Sequence, residues 1–164
     1  MSDENKSLVR RFFEEVINAE NVDRADEFVT ADYAEHQQLP GGEGRQGIRV
    51  AKAFLSMMRR AFPDYRFDIE DLVAEGDKVV ARVTVSGTHR GEMMGLAPTG
   101  RRVRTSGIEV FRLAGGKLAE HWATFDALGM LRQIGMAPVP GPALLARTLV
   151  HQTWKRLPLS RASR

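Results

Sequence analysis

From Tyr65 to Phe125 the chain alternates apolar and polar residues with period two, the mark of strands with one dry and one wet face. Tyr65, Phe67 and Ile69 alternate with Arg66, Asp68 and Glu70, and Val79, Ala81, Val83 and Val85 alternate with Arg82, Thr84 and Ser86. Glu75-Gly-Asp-Lys78 between them has the composition of a tight hairpin. A loop over 91–100, rich in Gly, Met and Pro, leads to a strand over 101–113. Gly115-Gly116 turns the chain into a last strand over 117–125. No helix separates these strands, so the spacing predicts an antiparallel meander.

The first third has a different period. Leu8, Phe12, Phe13, Val16 and Ile17 recur at helical spacing, with Arg10, Arg11, Glu14 and Glu15 between them. A short second helix around Ala25–Val29 and an extended piece at 33–37 follow. Pro40-Gly-Gly-Glu-Gly44 is a loop by its backbone chemistry. Ile48, Ala51, Phe54, Leu55 and Met58 give one face of a third helix over 47–61, ended by Pro63-Asp64. Helices first and strands afterwards is an α+β arrangement.

A short helix from Asp126 to about Ile134 closes this domain, taken as residues 1–136. Residues 137–164 read as a basic appendage: a linker stiffened by Pro138, Pro140 and Pro142, then a helical pattern over 143–155 with Arg147, His151 and Lys155 on one stripe. Charge divides at the same place. Residues 1–126 hold 18 Lys/Arg against 21 Asp/Glu, whereas residues 127–164 hold 6 basic residues and no acid. The pI of 9.6 therefore belongs to the tail. Without a basic, aromatic-studded surface in its body, the chain is not expected to bind nucleic acid. It has no run of eighteen apolar residues and no secretory pattern at the acidic N-terminus, so the expectation is a cytoplasmic protein that does not meet a membrane. The absence of cysteine excludes disulfides and thiolate chemistry. The four histidines show neither His-x-x-x-His nor His-x-Asp/Glu spacing, and no Gly-x-Ser-x-Gly elbow or phosphate loop is present.

Several motifs stand in a telling order: Lys6-Ser-Leu-Val-Arg-Arg-Phe-Phe-Glu-Glu-Val, Ala61-Phe-Pro-Asp, Glu70-Asp-Leu-Val-Ala-Glu-Gly-Asp-Lys-Val, Gly87-Thr-His-Arg-Gly-Glu-Met-Met-Gly, Pro98-Thr-Gly-Arg, Gly107-Ile-Glu-Val-Phe-Arg and Gly116-Lys-Leu-Ala-Glu-His-Trp with Asp126. Together they span about residues 6–135 and resemble the SnoaL-like polyketide cyclase branch of the nuclear transport factor 2-like superfamily. The resemblance implies a cone in which a strongly curved antiparallel or mixed sheet wraps a pocket and helices close the wide end. It implies a homodimer through the outer sheet face, a small hydrophobic ligand, and chemistry without metal or organic cofactor. Characterised members close a ring of anthracycline precursors by intramolecular aldol condensation. Others in the branch hydroxylate similar aromatic polyketides, so the alternatives are a hydroxylase or isomerase, or a non-catalytic binding module.

Site candidates follow. By the resemblance, Asp126 stands where the family's catalytic aspartate sits; a carboxyl there could move the protons of an aldol closure, or simply cap the next helix. His121, five residues earlier, has opposite strand parity, so both reach one pocket only if a bulge intervenes or Asp126 has left the strand. Trp122 shares Asp126's parity and is expected to wall a flat substrate. His89 continues the alternation of Val79–Val85 and is expected at the pocket's edge. His36 is placed near the pocket by the resemblance. Glu109 lies on the polar face of its strand with Thr105 and Gly107, and facing inward it would offer a second carboxylate. Met93, Met94 and Met130 suit either core or a pocket for a large flat ligand.

Overall fold

In the computed structural model, which describes residues 2–37 and 47–136, the alternating segments form one sheet and the helical segments cover its inner face. Helix α1 (Ser2–Phe12) runs on into a π-helical turn, Phe13–Asn18. The adjacent Phe12 and Phe13, on either side of the change from α-helix to π-helical turn, are both buried. A 3₁₀ turn (Val22–Arg24) and the short helix α2 (Ala25–Phe28) lead to strand β1 (Val29–Glu35). Helix α3 (Ile48–Ala61) starts after Gly47, as its spacing predicts.

Strands β2 (Arg66–Glu75), β3 (Lys78–Thr88), β4 (Arg102–Ala114) and β5 (Lys117–Phe125) follow, and α4 (Ala127–Ile134) ends the described chain. The sheet order is β1-β5-β4-β3-β2. Four strands form the expected meander, but β1 adds to its edge parallel to β5, with Glu35 opposite His121. The sheet is therefore mixed. Alternation within 65–125 carried no information about this long-range pairing.

Strand β4 shows how parity sets the two faces. Val103, Thr105, Gly107, Glu109, Phe111 and Leu113 point to the helices, and Arg104, Ser106 and Ile108 point out. Phe111 is 1% exposed and meets Phe13 edge-to-face, with centroids 5.9 Å apart at 87°. Burying a ring of this size stabilises the fold by roughly 2–3 kcal/mol. Phe12, Phe28 and Phe67 extend the aromatic layer around Phe13 and Phe111. Arg59 fastens α3 to this layer: Nη2 donates to the Ile17 carbonyl (2.7 Å) and Nη1 to the Tyr65 carbonyl (2.6 Å).

Helix α4 begins one residue after Asp126, whose Oδ1 accepts the Gly129 N–H at 2.8 Å as its N-cap. It ends at Gly135 in the left-handed region (φ 96°), where the Gly135 and Met136 N–H groups close back on Arg132 and Leu131 carbonyls. No helix among the described residues is long and apolar enough to cross a membrane. The loop at 40–44 and the proposed tail at 137–164, His151 included, lie outside the described residues.

Candidate active site

Between the inner sheet face and helices α3 and α4 lies a cavity of about 300 Å³. Most of its wall is apolar: Phe54, Leu55 and Met58 come from α3, Phe67 and Phe125 from the sheet, and Met130 from α4. Loop residues Met93 and Met94 close one side. Set into this wall are Tyr33 and Glu35 of β1, Glu109 of β4 and His121 of β5. They come together because β1, β5 and β4 are neighbours, and Glu35, His121 and Glu109 all have inward parity.

His121 is the centre of this polar group. Its Nδ1 lies 2.8 Å from Glu35 Oε2 and its Nε2 lies 3.3 Å from Glu109 Oε2. The second contact is ionic and lacks hydrogen-bond alignment, so the Nε2 proton has no hydrogen-bond acceptor among the described residues. Its ring stacks on Phe111 at 4.7 Å and 19°. Glu35 is fixed twice more, by the Tyr33 hydroxyl (3.0 Å) and the Gln37 N–H (2.9 Å). Burial opposes a charge on His121, but the Glu109 and Glu35 carboxylates set against its two ring nitrogens outweigh it and raise its pKa from 6.5 to about 9. The ring is thus an imidazolium at neutral pH. Burial, with the neighbouring Glu35 and Glu109 charges, pushes the Tyr33 hydroxyl far above its ordinary range.

Asp126 has left the strand, which answers the parity difference between it and His121. It caps α4, is exposed, and still borders the cavity at its rim. Of the two roles weighed for it from sequence the helix cap is seen, and it uses Oδ1 alone among the hydrogen bonds of the described residues. Glu109 faces inward and is 4% exposed.

Three residues expected at the pocket stand elsewhere. Trp122, next to His121, points to the outer sheet face because strand parity alternates and Asp126 no longer belongs to the strand. His36 stands beside it, stacked on Trp122 with centroids 4.4 Å apart and planes 1° from parallel, while its Nε2 meets Glu120 Oε2 at 2.6 Å. His89 is fully buried but packs behind the cavity wall against Phe62 (5.3 Å). Its Nδ1 accepts the Thr99 N–H at 3.2 Å, and its main chain bonds Arg101 and Gly100, so it fastens both ends of the 89–101 loop.

The same arrangement of strands and helices is found in known proteins. Residues 7–134 match the SnoaL-like polyketide cyclase family. The chain belongs to this family. Among SnoaL-like relatives, aklanonic acid methyl ester cyclase DnrD of Streptomyces peucetius is 31% identical over 137 residues, covering 82% of this chain and 92% of that protein. The nogalonic acid methyl ester cyclase of Streptomyces nogalater is 28% identical over 119 residues, 72% and 88% of the two chains. Among solved structures, AclR, a proposed hydroxylase from Streptomyces galilaeus, superposes with a TM-score of 0.76 at 26% identity, covering 94% of this chain and 96% of that one.

Among the polar members of this SnoaL-like cavity that escaped the sequence reading are Tyr33 and Glu35. Their signal was present: they share parity in a short buried segment, opposite to His36. Reading the segment for its histidine instead of its parity selected the wrong face. Among the described residues no group of three or more His, Asp or Glu side chains is arranged to hold a metal ion.

Proposed function

We propose that this chain is a cofactor-independent cyclase that closes a ring in a hydrophobic polyketide by an intramolecular aldol reaction. One observation carries the reading: an imidazolium held between two carboxylates opens into an apolar cavity bordered by a third carboxylate. A charged His121 cannot act as the base, and Glu35 and Glu109 are engaged in holding it. Among the described residues, the cavity carboxylate without a cation beside it is Asp126. It takes the proton from carbon next to one carbonyl, leaving an enolate. The enolate carbon bonds to a second carbonyl carbon, whose π pair moves to its oxygen. His121 gives that oxygen its Nε2 proton, and proton exchange between Asp126 and His121 restores both. The sequence is redox-neutral, with every atom of the substrate kept in the product. Glu35 and Glu109 make His121 a standing acid. The curated relatives suggest aklanonic and nogalonic acid methyl esters as first substrates to supply.

The test is Asp126→Asn. Asparagine caps a helix as well as aspartate, so α4 keeps its start while the base is lost. The expected result is a native melting temperature and a fall of about 10²–10⁴-fold in kcat. Normal turnover by this variant would move the base to another carboxylate. The likeness to AclR favours a second reading, hydroxylation. Consumption of molecular oxygen with substrate, and ¹⁸O from it in the product, would replace the cyclase reading.

A further inference from the structure

An aldol closure develops charge on two oxygens, the enolate oxygen and the alkoxide oxygen. His121 has one ring proton not aligned on an acceptor, and it serves one of them. The other requires a second donor in the cavity wall.

Three hydroxyl side chains line the cavity among the described residues: Tyr33, Thr105 and Tyr65. Two are committed, Tyr33 to Glu35 (3.0 Å) and Thr105 to the Asp126 carbonyl (3.2 Å). Tyr65 is 7% exposed, yet its hydroxyl makes no hydrogen bond to any described residue. A hydroxyl that lines a ligand cavity and has no partner among the described residues is free to donate to a ligand there.

We propose that the Tyr65 hydroxyl binds the carbonyl oxygen of the polyketide and stabilises the enolate charge on it. This rests on the cyclase reading above. Everything around the ring fixes its position except at the hydroxyl. The Tyr65 N–H donates to the Phe62 carbonyl (3.0 Å), and its own carbonyl accepts from Arg59 (2.6 Å). Phe67 meets the ring edge-on, with centroids 5.2 Å apart at 90°, and Phe62 packs beside it at 6.3 Å. A donor held this way needs no reorganisation as charge develops. Burial, then the Glu109 charge, raise the phenol's pKa above 10 against a smaller opposing effect of Arg59, so Tyr65 keeps its proton.

Tyr65→Phe removes the oxygen alone. With no internal hydrogen bond lost, the melting temperature should stay level or rise, while kcat falls about 10²-fold with little change in KM. A binding measurement works without turnover. A hydroxyanthraquinone should bind the variant about tenfold more weakly than the native protein, whereas anthracene, which has no oxygen, should bind both alike. Equal kinetics and equal hydroxyanthraquinone affinity would overturn the assignment, as would a melting temperature several degrees lower, which would reveal a structural hydrogen bond. If the native protein binds hydroxyanthraquinone and Tyr65→Phe weakens it, but no aldol product forms, the donor stands and the cyclase reading fails. If the native protein binds neither ring system, both fail.

Discussion

At His121 two effects of burial oppose each other, and the carboxylates decide. Desolvation alone would leave the ring neutral; Glu109 and Glu35 raise its pKa to about 9 instead. A folded-state value above the unfolded 6.5 means that the charged ring stabilises the fold fully below about pH 6.5. That contribution, roughly 3 kcal/mol, is lost as pH rises toward and through 9. Melting temperature should therefore decline between pH 6.5 and 9.5, and turnover by the acid should fall across the upper part of that window. Glu35→Gln should lower the His121 pKa, read from its ring proton resonance, and flatten the melting profile; an unchanged titration would remove Glu35 from this role. Little of this was legible in the sequence. His121 and Glu109 were candidates by type and parity, but the ion pair depends on Glu35, which lies 86 positions away from His121.

Strands and helices were far more legible, because each is specified by its own residues. Glycine at 107 has a job that only the three-dimensional neighbourhood reveals. It faces inward on β4 opposite Phe125 of β5, and a methyl group there would overlap the Phe125 ring. Phe125 in turn is part of the cavity wall. Gly107→Ala should therefore cost about 1–3 kcal/mol, the range for overpacking, and push the ring toward the ligand space. A chemical denaturation curve and the affinity for hydroxyanthraquinone should both worsen; an unaltered affinity would show that Phe125 relaxes away from the cavity. Helix α4 illustrates the limit of local reading. Its extent was plain from sequence, yet whether its capping aspartate also borders a cavity depends on α3 and the sheet.

For the molecule as a whole, the α+β class and the meander followed from two periodicities, while the parallel edge pairing of β1 with β5 did not. Local patterns carry the period of a strand but not its distant partner. The sequence suggests a domain end at 136; α4 ends at Ile134, where the Arg132 and Leu131 carbonyls accept from the Gly135 and Met136 N–H groups. A chain cut after Met136 should melt cooperatively within about 5 °C of the full chain, the shift given by roughly 1 kcal/mol at this size. A larger loss would make the basic tail part of the folding unit. The edge pairing also has a bearing on how such a protein can change over time. Glu35 meets His121 on the inside, and on the outside His36 rests on Trp122 and Glu120. A slip of β1 by one residue would exchange these faces, bringing an imidazole against an imidazolium and stranding the carboxylate outside. The outer stack thus favours the register that keeps Glu35 against His121. Drift on the exterior of this wall is answerable to selection on its interior.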